Sequence, residues 1–227
     1  KRGAPQDLPH VLIPPAIDLS AFPEPVERPM DKLGTVQRPL RILSVGRLHW
    51  KKGYEFALLA VKILVGRGFH CSYHIIGDGP YKLALYYSCH DMGLSDVVEF
   101  CGPMQHKQVI KHLNNVDIFI HSAVSEGFCN AVLEAQAMGV PVVCSDADGL
   151  PENIENNVTG FLVPRRSPLV MAKKIALLAK DEKLRKKMGE AGRKRVEEKF
   201  QLKRQIDNFD KFYELILIWK NSSIKIN

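Results

Sequence analysis

Long apolar runs are missing from this sequence. No stretch reaches the roughly 18 residues that a membrane-spanning helix needs, and the apolar run at 215–219 is far too short. Cysteine is scarce. Cys71, Cys89, Cys101, Cys129 and Cys144 make an odd count, and none forms a C-x-x-C pair. They read as small core residues in a reducing compartment, not as zinc ligands or disulfide partners. The eight histidines are scattered without ligand spacing. Aromatics are thin where positive charge is dense. Phe200 is the lone aromatic in 165–204, so no stacking platform for single-stranded nucleic acid exists there. A methionine start and a signal peptide are also missing, and the chain from Lys1 reads as a piece of something longer.

What is present is an ordinary globular composition, 45% apolar and 25% charged over 227 residues, enough for one sizeable core. The net charge of +7 is uneven: 165–204 holds a surplus of ten basic residues, and the remainder is slightly acidic. A solvated helix face is the first reading of that stretch, and peripheral contact with an anionic membrane the second. No role with nucleic acid is expected.

Eight of fourteen prolines fall in residues 1–39, which read as a connecting segment. From residue 40 short apolar runs alternate with amphipathic ones. Strands are expected at 41–45, 71–76, 97–101, 118–121, 140–144 and 160–163. Helices are expected at 54–67, 80–92, 106–114, 129–138, 168–179, 182–198 and 202–219. This alternation predicts an α/β fold with a doubly wound, parallel, six-stranded, Rossmann-like sheet. Residues 40–200 would form that domain, and 201–227 a C-terminal helix.

In such sheets ligands bind beyond the carboxyl ends of the strands. The first of these loops carries Gly46, Arg47, Lys52 and Gly53. A guanidinium fork and an ammonium five residues apart suit a diphosphate. The second, Gly77-Asp78-Gly79-Pro80, is a tight turn, with Lys82 where a dinucleotide fingerprint has its last glycine. The third, Gly102-Pro103-Met104, is an apolar lip that can flank a flat base. The fourth is the most informative. Glu126 lies in the loop, a helix starts near Phe128 or Cys129, and Glu134 shares a face with Asn130. Free amides at Gly127, Phe128, Cys129 and Asn130 make an anion site, and the two carboxylates can accept from sugar hydroxyls on both sides of a diphosphate. Asp146-Ala147-Asp148 reads as a turn with acidic caps in preference to a metal pair. His121 ends a strand beside this loop and reads as polar lining.

Taken together, Gly46-Arg47-Leu48 with Lys52-Gly53, Gly77-Asp78-Gly79-Pro80, Glu126-Gly127-Phe128 with Glu134, and Gly149-Leu150-Pro151-Glu152 resemble the retaining "group 1" (family 4) glycosyltransferases of the GT-B fold. The resemblance spans roughly 10–215 and implies the C-terminal, donor-binding half. It implies that Arg47 and Lys52 neutralise a leaving nucleoside diphosphate and that Glu126 holds the transferred sugar close to the reacting carbon. Glu134 would bind ribose hydroxyls, the amides of Gly127–Asn130 would meet sugar and phosphate oxygens, and Pro103 and Met104 would sit against the base. It further implies a UDP-sugar as default donor, retention of configuration, no metal and no cofactor. A saccharide or lipid-linked acceptor would be held by an absent N-terminal domain, against which the helix stripe Phe212, Leu215, Ile216 and Trp219 would pack. Without that domain the chain is expected to transfer little sugar. The setting implied is cytoplasmic polysaccharide or glycolipid synthesis, with peripheral contact at the inner membrane face as an option. Two alternatives stay open: a GT-B relative that epimerises or hydrolyses the nucleotide sugar, and a non-catalytic module that binds anions or membranes.

Overall fold

The computed structural model describes residues 9–25 and 32–224, and side chains up to residue 221. Six strands form one parallel sheet: β1 Leu40–Val45, β2 Cys71–Ile76, β3 Val98–Gly102, β4 Ile118–His121, β5 Val142–Ser145 and β6 Gly160–Val163. Their order across the sheet is β3-β2-β1-β4-β5-β6. The expected fold class is therefore the observed one. Successive strands are added outward from β1 towards β3 on one side and from β4 towards β6 on the other, so the switch point lies between β1 and β4, and the loops leaving these two strands border it.

Both faces of the central strands β1, β4 and β5 are largely buried, which is why these strands read as apolar runs rather than alternating ones. Ile42, Ile118, Ile120 and Val143 point into one apolar layer with Leu58, Val61, Ile175 and Leu178. Leu43, Phe119, Val142 and Cys144 point into the other, with Leu113, Leu133 and Val196. Side chains that alternate faces along each strand produce these two layers. The helices that supply them are α1 Tyr54–Gly66, α2 Lys82–Asp91, α3 His106–Asn114, α4 Asn130–Ala137, α5 Leu150–Asn153, α6 Pro168–Lys180 and α7 Glu182–Lys199, and the chain continues into α8 Leu202–Ile224.

Most boundaries shift by a few residues, and two of the departures have a clear cause. The strand expected at 140–144 begins at Val142, since Pro141 lacks an N–H and only its carbonyl joins the ladder, accepting from Phe119. The turn expected at 146–152 contains the one-turn helix α5, with Pro151 in its first turn.

The basic stretch divides by residue type. Arg185 is buried and donates to the Leu178 carbonyl at 2.7 Å. Arg193 donates to the Ala137 carbonyl at 2.6 Å, and Arg195 to that of Glu152 at 2.9 Å. Lys183, Lys186, Lys187, Lys194 and Lys199 are exposed on α7. Part of the charge surplus is thus internal stapling, not surface.

Residues before β1 lie against the C-terminal helices. The Ile17 amide donates to the Phe200 carbonyl and the Leu202 amide to that of Ile17, while Gln205 Nε2 donates to the Pro14 carbonyl. Ile17 and Phe22 are buried in the second layer. No helix among the described residues is long and apolar enough to cross a membrane.

Candidate functional site

The loops after β1 and β4 are zipped together. A single turn of 3-10 helix, Trp50–Lys52, ends at Gly53, whose φ of 60° is left-handed. The Lys51 carbonyl accepts from the Val124 amide at 2.8 Å, and Ser122 Oγ donates to the Gly53 carbonyl at 2.7 Å. A Cβ at position 53 would run into the Ser122 carbonyl, so glycine is needed for both reasons.

This zipper brings Lys52 Nζ onto Glu126 Oε2, across 74 residues of sequence. His121 Nε2 approaches the same oxygen at 3.0 Å from the end of β4. His121 is 3% exposed and Glu126 13%. Burial alone would raise the Glu126 pKa, but hydrogen bonds from His121 and Lys52 outweigh it and hold the carboxyl below its ordinary value. Burial disfavours a charged His121 ring, yet Cys129 and Glu126 overcome that and push its pKa up to about 9. Cys129, buried beside it, titrates below the ordinary thiol value because His121 outweighs the desolvation. The carboxylate at the centre is therefore ionised at neutral pH and gripped from two sides.

A third loop positions Glu126 from behind. Asp148 Oδ2 accepts from the Glu126 amide at 3.2 Å, and Asp148 Oδ1 from Arg165 at 3.0 Å. Gly149 donates its amide to the Glu126 carbonyl at 2.9 Å, and a Cβ there would overlap the Gly127 carbonyl. Asp146 accepts from the Arg165 amide at 3.0 Å. Both aspartates of the Asp-x-Asp sequence are thus spent on loop geometry.

Helix α4 begins at Asn130, close to the expected start. One of the four amides expected to be free is not. Cys129 donates to Asn153 Oδ1 at 3.2 Å, and Asn153 Nδ2 returns a bond to the Cys129 carbonyl. This correction has a physical cause: α5 brings a buried amide side chain against the helix start, and both groups need partners away from water. The amides of Gly127, Phe128 and Asn130 have no protein acceptor among the described residues.

Two adjoining clefts share Lys52. One, about 580 Å³, is bordered by Gly46, Met104, Phe128, Cys129, Asn130 and Glu134, with Pro15 and His106. The other, about 550 Å³, is bordered by Arg47, Ser125, Glu126 and Gly127. Of the expected site residues only Pro103 borders neither. Glu134 meets His106 Nε2 at 3.3 Å, and burial raises its pKa against the opposing pull of His106. His106 and Asn153 were not expected from the sequence. His106 had a weak signal, since it opens α3 just after Met104, whereas Asn153 carried none.

The family model described as "Glycosyl transferases group 1" matches residues 26–195. An amylovoran biosynthesis glycosyltransferase, AmsK of Erwinia amylovora, is 37% identical over 65% of this chain and 38% of its own length. The capsular polysaccharide biosynthesis glycosyltransferase CapM of Staphylococcus aureus is 33% identical over 69% and 41%. A GDP-mannose-dependent phosphatidylinositol monomannoside mannosyltransferase of Mycobacterium tuberculosis is 32% identical over 81% and 50%. The chain thus spans about two fifths to half the length of these relatives. Among solved structures, the C-terminal domain of a group 1 family protein, LpcC of Francisella tularensis, superposes with a TM-score of 0.70 at 25% identity. The match covers 82% of this chain and 99% of that one.

Proposed function

The chain belongs to the group 1 glycosyl transferases and has the Rossmann-like sheet of the C-terminal half of their GT-B fold. From that premise we propose that it binds the nucleoside-diphosphate sugar for a metal-independent transfer with retention of configuration, in bacterial polysaccharide or glycolipid synthesis. The observation that carries this reading is the convergence of Lys52, His121 and Glu126 beside the open amides of Gly127, Phe128 and Asn130. Cleavage of a sugar–phosphate bond leaves negative charge on the diphosphate and positive charge on the sugar. Lys52, Arg47 and the amides face the first, and the ionised Glu126 faces the second.

The Lys52–Glu126 pair points to an order of events. Lys52 is held by Glu126 until a diphosphate competes for it. Release of Lys52 then opens room on Glu126 Oε2 for a sugar hydroxyl, while His121, on the same oxygen, keeps the carboxylate in place. Glu134 and His106 border the larger cleft, where the ribose hydroxyls would lie. Uridine is the base the resemblance implies. The mycobacterial relative's dependence on GDP-mannose sets guanosine beside it. Transfer itself requires the acceptor-binding domain that precedes this one in a complete GT-B enzyme. The exposed α7 lysines support peripheral contact with anionic lipid, testable by salt-sensitive liposome binding.

Titration calorimetry with UDP, GDP and ADP, each with and without EDTA, tests the reading. One diphosphate should bind with equal affinity in both conditions, and Lys52→Ala and Glu134→Ala should each weaken it. Absence of binding to this chain and to a longer chain carrying the preceding domain would refute it. Equal donor consumption by that longer chain with and without acceptor would point to hydrolysis or epimerisation instead.

A further inference from the structure

A second group of metal-capable side chains lies away from the clefts, on the α3 face of the sheet near its β3 edge. Strand alternation puts it there. His74 on β2 pairs in register with Glu99 on β3, and Cys101 follows Glu99 by two residues, so all three emerge on one face. One ligand atom from each lies within 4.8 Å of the other two. His74 Nε2 is 3.6 Å from Glu99 Oε2 and 3.0 Å from Ser72 Oγ. A fourth donor comes from α3, packed over that face: the His112 ring lies edge-on to His74, with centroids 5.9 Å apart.

We propose that His74, Glu99 and Cys101, completed by His112, form a binding site for Zn2+ or a chemically similar divalent cation. Imidazole, thiolate and carboxylate together suit a borderline-soft, tetrahedral ion. Donor atoms around tetrahedral Zn2+ stand about 3.3–3.8 Å apart. The spread of up to 4.8 Å among His74, Glu99 and Cys101 would close to that by side-chain rotation, and the His112 ring would turn in from α3 to complete the set. These groups are half-buried or exposed, so an ion can reach them. Coordination would deprotonate the Cys101 thiol.

A His–Glu pair alone would be an ordinary sheet-face contact; the thiol and the second imidazole make the difference. The ligands are up to 38 residues apart (74 to 112), so no linear motif shows them. A bound ion would tie β2, β3 and α3 together just before the Gly102–Met104 lip. The proposal does not depend on the nucleotide-binding reading.

The test is titration of the chelator-treated chain with Co2+, read by absorption, and with Zn2+, read by competition against a chromophoric chelator. A single Co2+ should give a thiolate-to-metal charge-transfer band and the strong visible bands of four-coordination. Cys101→Ser should remove the first, and His74→Ala and His112→Ala should each weaken Zn2+ binding by about tenfold or more. Circular dichroism in chelator checks that the variants fold. Should they not, Zn2+ must still protect Cys101 of the parent chain from alkylation, read by mass spectrometry. No charge-transfer band and no protection would overturn the site. So would a band that survives Cys101→Ser and disappears in Cys129→Ser, since it would place the ion at His121, Glu126 and Cys129, the other cluster with this spacing. Nucleoside diphosphate binding by the Cys101→Ser chain, measured separately, keeps the two proposals apart.

Discussion

The loops around Glu126 and the helix α8 handle their difficult groups in opposite ways. Around Glu126, charged side chains that prefer water are matched: the buried His121 and the half-buried Lys52 by Glu126, and the exposed Asp148 by Arg165 and the Glu126 amide. Along α8, apolar side chains that avoid water are left in it, with Tyr213 61% and Leu217 60% exposed and Ile206 and Leu215 also open. Of the stripe expected there, Phe212, Ile216 and Trp219 are half-buried and Leu215 is exposed. The contrast shows where tertiary structure is specified from within this chain. The loops are fixed by partners they already have, so changes there are costly. Tyr213 and Leu217 on α8 stand exposed, so changes there should cost little.

Experiments that break the comparison should do so in a fixed order of size. Gly149→Ala should have the largest effect, because its Cβ meets backbone that cannot rotate away. A loss of about 3 kcal/mol or more in urea unfolding is expected, together with loss of diphosphate binding. Lys52→Ala comes next. It leaves Glu126 half-buried with His121 as its remaining cation, and should cost about 1–3 kcal/mol on the same assay.

The pH dependence follows. Because the folded pKa of His121 is raised from 6.5 to about 9, its contribution is complete below pH 6.5 and is lost as pH rises towards 9. Stability should fall by about 1–3 kcal/mol across that window, and His121→Gln should flatten the fall. Glu126 has the opposite sign. Its pKa is lowered, so its contribution is present above 4.5 and vanishes as pH drops below. Leu217→Lys on α8 should have the smallest effect, within about 0.5 kcal/mol. A large loss there would mean that α8 is supported by contacts within this chain after all.

The fold was legible because burial on both faces writes each central strand as an apolar run, as in 118–121. What no run shows is that β4 sits beside β1, since strand order depends on how crossovers pack. Glu126, Lys52 and Glu134 were legible because each lies in a loop or helix start at a strand's carboxyl end. Their supports were not. Asn153 reaches α4 from a helix the sequence presents as a turn, and His106 meets Glu134 only once α3 and α4 are placed side by side. Cys101 read as a small apolar residue because its neighbours His74 and His112 belong to other elements.

The bonds that join Ile17 to Phe200 and Leu202, and Pro14 to Gln205, also define a path for force. A pull applied between the segment before β1 and the start of α8 is carried by these bonds directly and bypasses the sheet. Pro15 sits inside that clamp and at the same time walls the larger cleft. That part of the wall is therefore tied by hydrogen bonds to the α7–α8 junction, so the cleft is bordered by the clamp as well as by the strand-end loops.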